Sequence, residues 1–572
     1  MACRSYSILF ACAILVLAPL TSIAQEKQSL AAGPYENAVV AADHPLASQA
    51  GLEMLQAGGN VVDAAVASSF ALSVVRPYSC GIGGGGFMVI WNADDQKAMA
   101  LDYRERAPLA SSSDMYKEKS PTESESMRGP KACGVPGTVA GLCYAAEKYG
   151  SLPLSKLLEP AIRYAKEGFA VDTGCVANQK STLARFEQFA GYKTDYKLLL
   201  DGYLNSGSPF TPGDNWKSPQ LKTLELIAEK GRSGFYNGPV AKAIIETSAL
   251  ITQQDLTRQQ PVLRAPLRGS LGGREVLTMP PPSSGGVALV QMLNVLQAWE
   301  EQHPGQTLTS IGHNSPAYVQ VVTEAMKHAF ADRAEFLGDT DFADVPIHKL
   351  ISKDYAHQIA RKINLERTLE PKDYGRFFSA SDSGTSHLSV IDKHGNAVAC
   401  TETINLVYGS FVVVPEYGFI LNDEMDDFAA RPGEPNAFGL IQSEANAVAP
   451  RKKPLSSMTP TIVIEDGKAI AATGASGGPR IITATMQVLL NQVRFGLKPQ
   501  DAVNKPRLHH QWSPNRLSLE SKLYDRVGND LKKRGHEVSR SSGLAVSQSV
   551  GRIDGKLFGG SDPRKLGRPA GY

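Results

Sequence analysis

The patterning of the chain changes character near residue 384, and that change limits the folds open to it. Upstream, helical and strand-like runs alternate across residues 37–164. Asn60 is placed to cap an apolar helix that carries Asp63 in its first turn and reaches Val75, ahead of Arg76-Pro77. Residues 87–91 then read as a buried strand. Further on, Ser315-Pro316 opens a helix through Phe336, with apolar Tyr318, Val322, Ala325 and Ala329 on one face. Downstream of 384 the period shortens to strand, turn, strand. Residues 387–391 and 397–403 flank a Lys-His-Gly-Asn turn, and residues 461–464 and 469–472 flank Asp466-Gly467. Ile553 and Lys556 flank a further Asp-Gly. The polar stretch between Pro371 and Gly384 has no periodicity, and no internal repeat is present.

The bulk properties exclude some classes. The chain has 572 residues, 42% of them hydrophobic and 20% charged, an ordinary globular balance. A formal net charge of +2 makes no case for nucleic acid or an anionic membrane as partner. Residues 1–24 have the layout of a secretory signal peptide: Arg4, an apolar run at 8–20 broken by Pro19, then Ser22-Ile23-Ala24 before Gln25. A lipid anchor on Cys12 fits less well, because the apolar run continues past it. No other run is long enough to span a bilayer, so a soluble protein outside the cytoplasm is expected. Cys80, Cys133, Cys143, Cys175 and Cys400 remain after the leader, an odd number without a CxxC pair. Buried thiols are expected, rather than a disulfide framework or a structural zinc site.

Three short motifs have possible chemistry. Gly81-Ile82-Gly83-Gly84-Gly85-Gly86 matches GxGxxG, but a helix precedes it and a strand follows, the reverse of a dinucleotide fingerprint. A tight, close-packed turn is the better account. Gly474-Ala475-Ser476-Gly477-Gly478 matches GxSxG between a strand and a helix at 481–493. As a nucleophile elbow it would make Ser476 the nucleophile of an α/β-hydrolase, with Asp501 and His509, His510 or His536 following in order. Asp501 stands only a few residues before the first two histidines, which leaves little room for the intervening elements of that fold, and the α/β-hydrolase stays as the runner-up. The same corner also aims backbone N–H groups at an anion, the preferred reading. The third motif, Gly384-Thr385-Ser386-His387, puts a small hydroxyl residue directly ahead of the first hairpin.

Residues 385–392 (Thr-Ser-His-Leu-Ser-Val-Ile-Asp) resemble the start of the small subunit of γ-glutamyltranspeptidases. Further stretches agree in order: Thr403-Ile404-Asn405, residues 421–428 (Leu-Asn-Asp-Glu-Met-Asp-Asp-Phe), 454–460 (Pro-Leu-Ser-Ser-Met-Thr-Pro) and 474–480. Upstream, Asp102-Tyr103-Arg104-Glu105 and residues 135–141 fit as well, and Ser561-Asp562-Pro563-Arg564 with the closing Ala570-Gly571-Tyr572 fits the family's C-terminus. The resemblance implies an α+β fold, the four-layer αββα sandwich of N-terminal-nucleophile hydrolases, built from two chains of one autoprocessed precursor. Residues 25–384 would be the large subunit and 385–572 the small one, with Thr385 at the tip of a central strand.

It also implies the chemistry. Thr385 would attack the Gly384 carbonyl and free its own α-amine, whose ordinary pKa of about 7.7–8.0 suits a general base. By the same resemblance Arg104 holds the donor's α-carboxylate, aided by Ser456 and Ser457. Asn405, Glu424 and Asp427 surround its α-ammonium. Gly477 and Gly478 form the oxyanion hole, and Thr403 orients Thr385. The implied activity is a γ-glutamyltransferase and glutathione hydrolase, passing a γ-glutamyl group from glutathione or related amides to water, amino acids or dipeptides. No cofactor or metal is called for, and a periplasmic or secreted heterodimer is expected. Residues 431–450 fit the lid loop of bacterial members. Two positions depart from the pattern: Phe438 stands where many carry tyrosine, and Glu424 where some carry glutamine. The alternatives are a glutaryl or cephalosporin acylase of the same fold and the Ser476 hydrolase.

Overall fold

The computed structural model describes residues 32–116, 123–375, 384–429 and 443–572. The leader at 1–24, with Cys3 and Cys12, and Phe438 lie outside these. Two antiparallel sheets form the centre. The first runs in the order Arg568–Gly571, Ala38–Ala42, Ser386–Asp392, Ala397–Thr403, Gly85–Asn92, Lys97–Asp102 and Val262–Arg264. The second runs Lys556–Ser561, Val546–Ile553, Lys468–Ser476, Thr461–Glu465, Arg274–Thr278 and Leu267–Leu271. Each sheet therefore mixes strands from both sides of residue 384, and the hairpin after Thr385 is central in the first.

Side-chain alternation along these strands generates the layers. Val39, Ala41, Phe87, Val89 and Ile391 meet Leu277, Ile462, Ile464, Ala472 and Val550 between the sheets. The intervening residues Val40, Ala42, Met88, Ile90, Leu388 and Val390 point the other way, into a core shared with helices Pro45–Gln56, Val61–Val75 and Thr138–Tyr149. Val276, Val463 and Ala471 do the same on the second sheet, beneath helices Ser284–Gln302, Pro316–Phe336 and Arg480–Val493. Because both faces of both sheets are apolar, each needs a helical cover. The result is the four-layer αββα sandwich.

Local chemistry agrees with the elements read from sequence. Asn60 caps Val61–Val75 in a full capping box with Asp63, and Ser315 caps Pro316–Phe336. At Asp466-Gly467 and Asp554-Gly555 both central residues have positive φ (49° and 72°, 50° and 80°), the geometry that a two-residue hairpin turn selects. The glycine run ahead of Gly85–Asn92 is the close-packed turn expected: a Cβ on Gly84 would stand 2.0 Å from the carbonyl oxygen of Thr403. All five described cysteines are free and buried. Among the described residues, no helix is long and apolar enough to cross a membrane.

One polar side chain is wedged between the sheets. His387 bonds to Thr401 Oγ1 at 2.7 Å and to Ser389 Oγ at 2.9 Å, and burial pushes its pKa down to about 3, so it stays neutral. Room for its ring comes from Gly474 on the facing strand, where a Cβ would lie 2.4 Å from His387 Cε1. Gly474→Ala should therefore cost roughly 1–3 kcal/mol of stability through overpacking, read as a lowered midpoint in chemical unfolding.

Candidate active site

The hairpin sets the centre of the site. Ser386 pairs with Glu402 across it, so the residues just beyond, Thr385 and Thr403, face each other. Thr385 Oγ1 lies 3.3 Å from Thr403 Oγ1 and also donates to the carbonyl oxygen of Gly384. Thr403 Oγ1 donates to that same oxygen at 3.1 Å and accepts the N–H of Asn405 at 2.8 Å, which fixes its direction. Gly384 has φ +94°, and a Cβ there would stand 2.2 Å from the Asn405 carbonyl oxygen. Both the backbone angle and the lack of space require glycine. A threonine hydroxyl thus rests against the peptide bond that precedes it, with a second hydroxyl on the same carbonyl.

Next to this bond is a small pocket. Thr385, Thr403, Arg104, Asn405, Glu424, Asp427, Ser456, Ser457 and Gly478 all line it. Gly384 and Gly477 instead line a larger adjoining cavity of about 420 Å³ that also includes Thr385. Around the hairpin residues, the site draws on four further segments. Arg104 follows the strand Lys97–Asp102, and Glu424–Asp427 is a short 3-10 turn whose entry is held by Asn422 accepting the Glu424 N–H at 3.0 Å. Ser456 and Ser457 are pinned where Ser456 N–H donates to Pro282 O at 2.9 Å and the Ser284 N–H donates to Ser456 O at 2.7 Å. Gly477 and Gly478, with φ +130° and +55°, lead from strand Lys468–Ser476 into helix Arg480–Val493.

In this state the pocket is nearly closed, with only about 20 Å³ open, room for little more than one water. Arg104 closes it by pairing with Glu424 and with Asp427, the latter at 2.5 Å, while Glu105 stands 3.7 Å away. Burial works against the guanidinium's charge, but Glu424, Asp427 and Glu105 outweigh it and hold Arg104 protonated. One cation faces three carboxyl groups, and burial pushes Glu105 up to about 7 and Glu424 up as well.

Arg104 is set from behind by groups to which the sequence reading gave no role. Asp102 accepts the Arg104 N–H at 3.1 Å and is itself held by Arg264 at 2.7 Å and the buried Lys453 at 2.6 Å. Burial lowers Lys453 to about 8, while Asp102, despite its own burial, is kept below the usual range by the two cations. Asp102 and Glu105 sit inside the Asp-Tyr-Arg-Glu motif, which is the signal that points to them. Lys565, bonded to the Thr385 carbonyl oxygen at 3.1 Å, had no such signal beyond following Ser-Asp-Pro-Arg.

The Ser476 alternative lacks its base. His509 is bonded to Thr483 and Gln511, His536 to Gln320, and His510 Nδ1 accepts the Trp512 N–H. None of the three is hydrogen-bonded to Ser476, which lines the larger cavity. Of the loop at 431–450, residues 443–450 are described. Asn446 there donates to the Asp427 carbonyl oxygen at 2.7 Å and accepts the Leu455 N–H at 3.0 Å, tying the loop's foot to the pocket wall. Among the described residues no group of three or more His, Cys, Asp or Glu side chains is arranged to hold a metal ion.

Residues 47–572 match the family described as Gamma-glutamyltranspeptidase. The chain is 39% identical to a glutathione hydrolase proenzyme of Escherichia coli strain K12 over 538 residues, 92% of this chain and 90% of that protein. It is 40% identical to a glutathione hydrolase proenzyme of Pseudomonas aeruginosa strain PAO1 over 560 residues, 96% of each. Among solved structures, a cephalosporin acylase from Bacillus halodurans shares the fold with a TM-score of 0.82 at 27% identity, over 94% of this chain and 96% of that one. The family match spans every residue of the pocket and both sides of the Gly384–Thr385 bond, and the chain belongs to the gamma-glutamyltranspeptidase family.

Proposed function

We propose that this chain is a γ-glutamyltransferase and glutathione hydrolase, made as a precursor that cuts itself between Gly384 and Thr385. The observation that carries the reading is the Thr385 hydroxyl resting on the Gly384 carbonyl at the mouth of the Arg104 pocket. In the cut, Thr385 Oγ1 adds to the Gly384 carbonyl carbon while Thr403 Oγ1–H steadies the oxygen that gains charge. The hydroxyl proton passes to the nitrogen as the C–N bond breaks, the nitrogen leaves as the Thr385 amine, and an ester joins Gly384 to Thr385 Oγ1. Water hydrolyses that ester, giving a Gly384 carboxylate and a free N-terminal threonine. The amine then serves as base for the same hydroxyl, directly or through a water.

In turnover the hydroxyl attacks the donor's γ-amide carbonyl, with the N–H groups of Gly477 and Gly478 stabilising the oxyanion. The leaving amine takes up the proton, and water or an amino acid or dipeptide amine receives the γ-glutamyl group. The closed pocket supports a zwitterionic donor head. An α-carboxylate would replace Glu424 and Asp427 on Arg104, assisted by Ser456 and Ser457. The α-ammonium would take over Asp427 and the released Glu424 carboxyl beside Asn405, and its charge would favour the ionised form of Glu424. Such an exchange keeps every buried charge paired, and an unpaired buried charge is costly.

The cephalosporin acylase likeness favours a second reading, glutaryl-amide hydrolysis. A glutaryl group brings the carboxylate without the ammonium, and so strands Glu424 and Asp427. γ-Glutamyl anilides should therefore be cleaved at a kcat/KM about 10²–10⁴-fold above glutaryl anilides; equal rates would favour the acylase.

The order of basic, apolar and small residues in 1–24 supports a cleaved leader. On that reading the mature protein is a periplasmic or secreted heterodimer of chains 25–384 and 385–572. Denaturing electrophoresis should show two bands, and N-terminal sequencing of the smaller should begin at Thr385; any other start residue sinks the mechanism. Thr385→Ala should leave one uncut, inactive chain. Thr403→Ala, which removes a donor to the Gly384 carbonyl, should slow the cut by about 10²–10³-fold, followed as the decay of the precursor band. Gly384→Ala should slow it at least as much, because the methyl group has no room.

A further inference from the structure

The turn between strands Lys556–Ser561 and Arg568–Gly571 presses a cation against the nucleophile. Lys565 Nζ donates to the Thr385 carbonyl oxygen at 3.1 Å, to Asp43 Oδ2 at 2.7 Å and toward Ser79 Oγ at 3.4 Å. The placement is built rather than incidental. Asp43 is fully buried, and its other oxygen accepts Gln548 Nε2 at 2.8 Å. The neighbouring Arg564 anchors the turn by donating to Glu520 at 2.6 Å and Asp562 at 2.8 Å. Lys565 also lines the 420 Å³ cavity, which shares only Thr385 with the Arg104 pocket.

The position matters once Thr385 is the first residue of its chain. Its carbonyl oxygen and its amine nitrogen then belong to one residue and lie about 3 Å apart. A held ammonium at that oxygen is within about 6 Å of the amine, near enough for like charge to disfavour the protonated form. We propose that Lys565 is a positioning residue of the nucleophile: it holds the Thr385 carbonyl and, by its charge, keeps the Thr385 amine in the free-base form that accepts the hydroxyl proton. The inference rests on the reading of Thr385 as an N-terminal nucleophile.

Other titratable groups face the same spot. Asp43 offsets part of the lysine's charge, but the ammonium, not the carboxylate, is bonded to Thr385. From the turn after helix Val61–Val75 come Tyr78 and Cys80, which burial keeps protonated. From strand Ala397–Thr403 comes Glu402, pushed by burial up to about 7 and bonded to the Tyr103 hydroxyl at 3.0 Å. Well below pH 7 Glu402 is uncharged and does not counter Lys565, whereas through pH 7 it ionises and offsets part of the lysine's charge. Arg564 adds a second cation on the cavity wall, paired to Glu520 and Asp562.

The test compares the matured protein with Lys565→Met and Lys565→Arg, reading kcat/KM for a γ-glutamyl anilide across pH. The acid limb of that profile reports the base in the free enzyme. Lys565→Met should move the limb up by about one pH unit, and Lys565→Arg should leave it in place. A limb that stays put in Lys565→Met, whatever the loss of rate, overturns the inference. A second measurement needs no variant. The unaltered protein is labelled with an amine-reactive reagent across pH, and the N-terminal peptide of the small chain is read by mass. Half-reaction should fall below the ordinary α-amine value of about 7.7–8.0; a value within or above that range overturns the inference as well. A small chain that starts elsewhere than Thr385 overturns the functional reading and this one together, whereas a chain that starts there with an unmoved limb overturns this one alone.

Discussion

The pairing of Ser386 with Glu402 places two threonine hydroxyls side by side at the open end of a hairpin, on one carbonyl oxygen. Register in a sheet is all or nothing, since a one-residue slip turns every side chain to the other face. Here the register is held from both sides. The hairpin lies between strands Ala38–Ala42 and Gly85–Asn92, and its faces are buried against the second sheet and against helix Val61–Val75. Gly84, backbone to backbone against Thr403, and Gly384, against Asn405, remove the last freedom at the end of the strands. The rigidity of four packed layers is thereby spent on holding one hydroxyl against one peptide bond.

Electrostatics defines what the neighbouring pocket accepts. Arg104 is buried among Glu105, Glu424 and Asp427, and behind it Asp102 is compensated by Lys453 and Arg264. Charges out of water have to be paired, so a ligand enters only by exchanging partners. That condition selects a head group bearing both signs at short separation. The same rule applies on the other side of Thr385, where Lys565 is compensated by Asp43 and still reaches the threonine carbonyl.

Much of this was legible in the residues. The Asn60 cap, the two Asp-Gly turns, the strand after the glycine run and the hairpin after Thr385 follow from local rules of capping, turn geometry and alternation, and each formed where those rules placed it. The resemblance singled out the pocket residues because their motifs are short and contiguous. Lys453 and Lys565 were not singled out, because their contacts are made between segments hundreds of residues apart: Lys453 meets Asp102, and Lys565 meets Asp43. A lone lysine in a sequence has no pattern that distinguishes a solvated side chain from a buried partner.

By itself, the sequence determined the elements, the glycine positions and the hydroxyl residue at the head of a strand, since those depend on neighbours within a few residues. Only the tertiary structure decided that strands from both sides of residue 384 share each sheet. It also decided that Arg104 is neutralised by Glu424 and Asp427 in a nearly closed pocket, and that a lysine from the far end of the chain touches the nucleophile. Those outcomes depend on which buried charges find one another, and that choice is made by long-range packing rather than by local propensity.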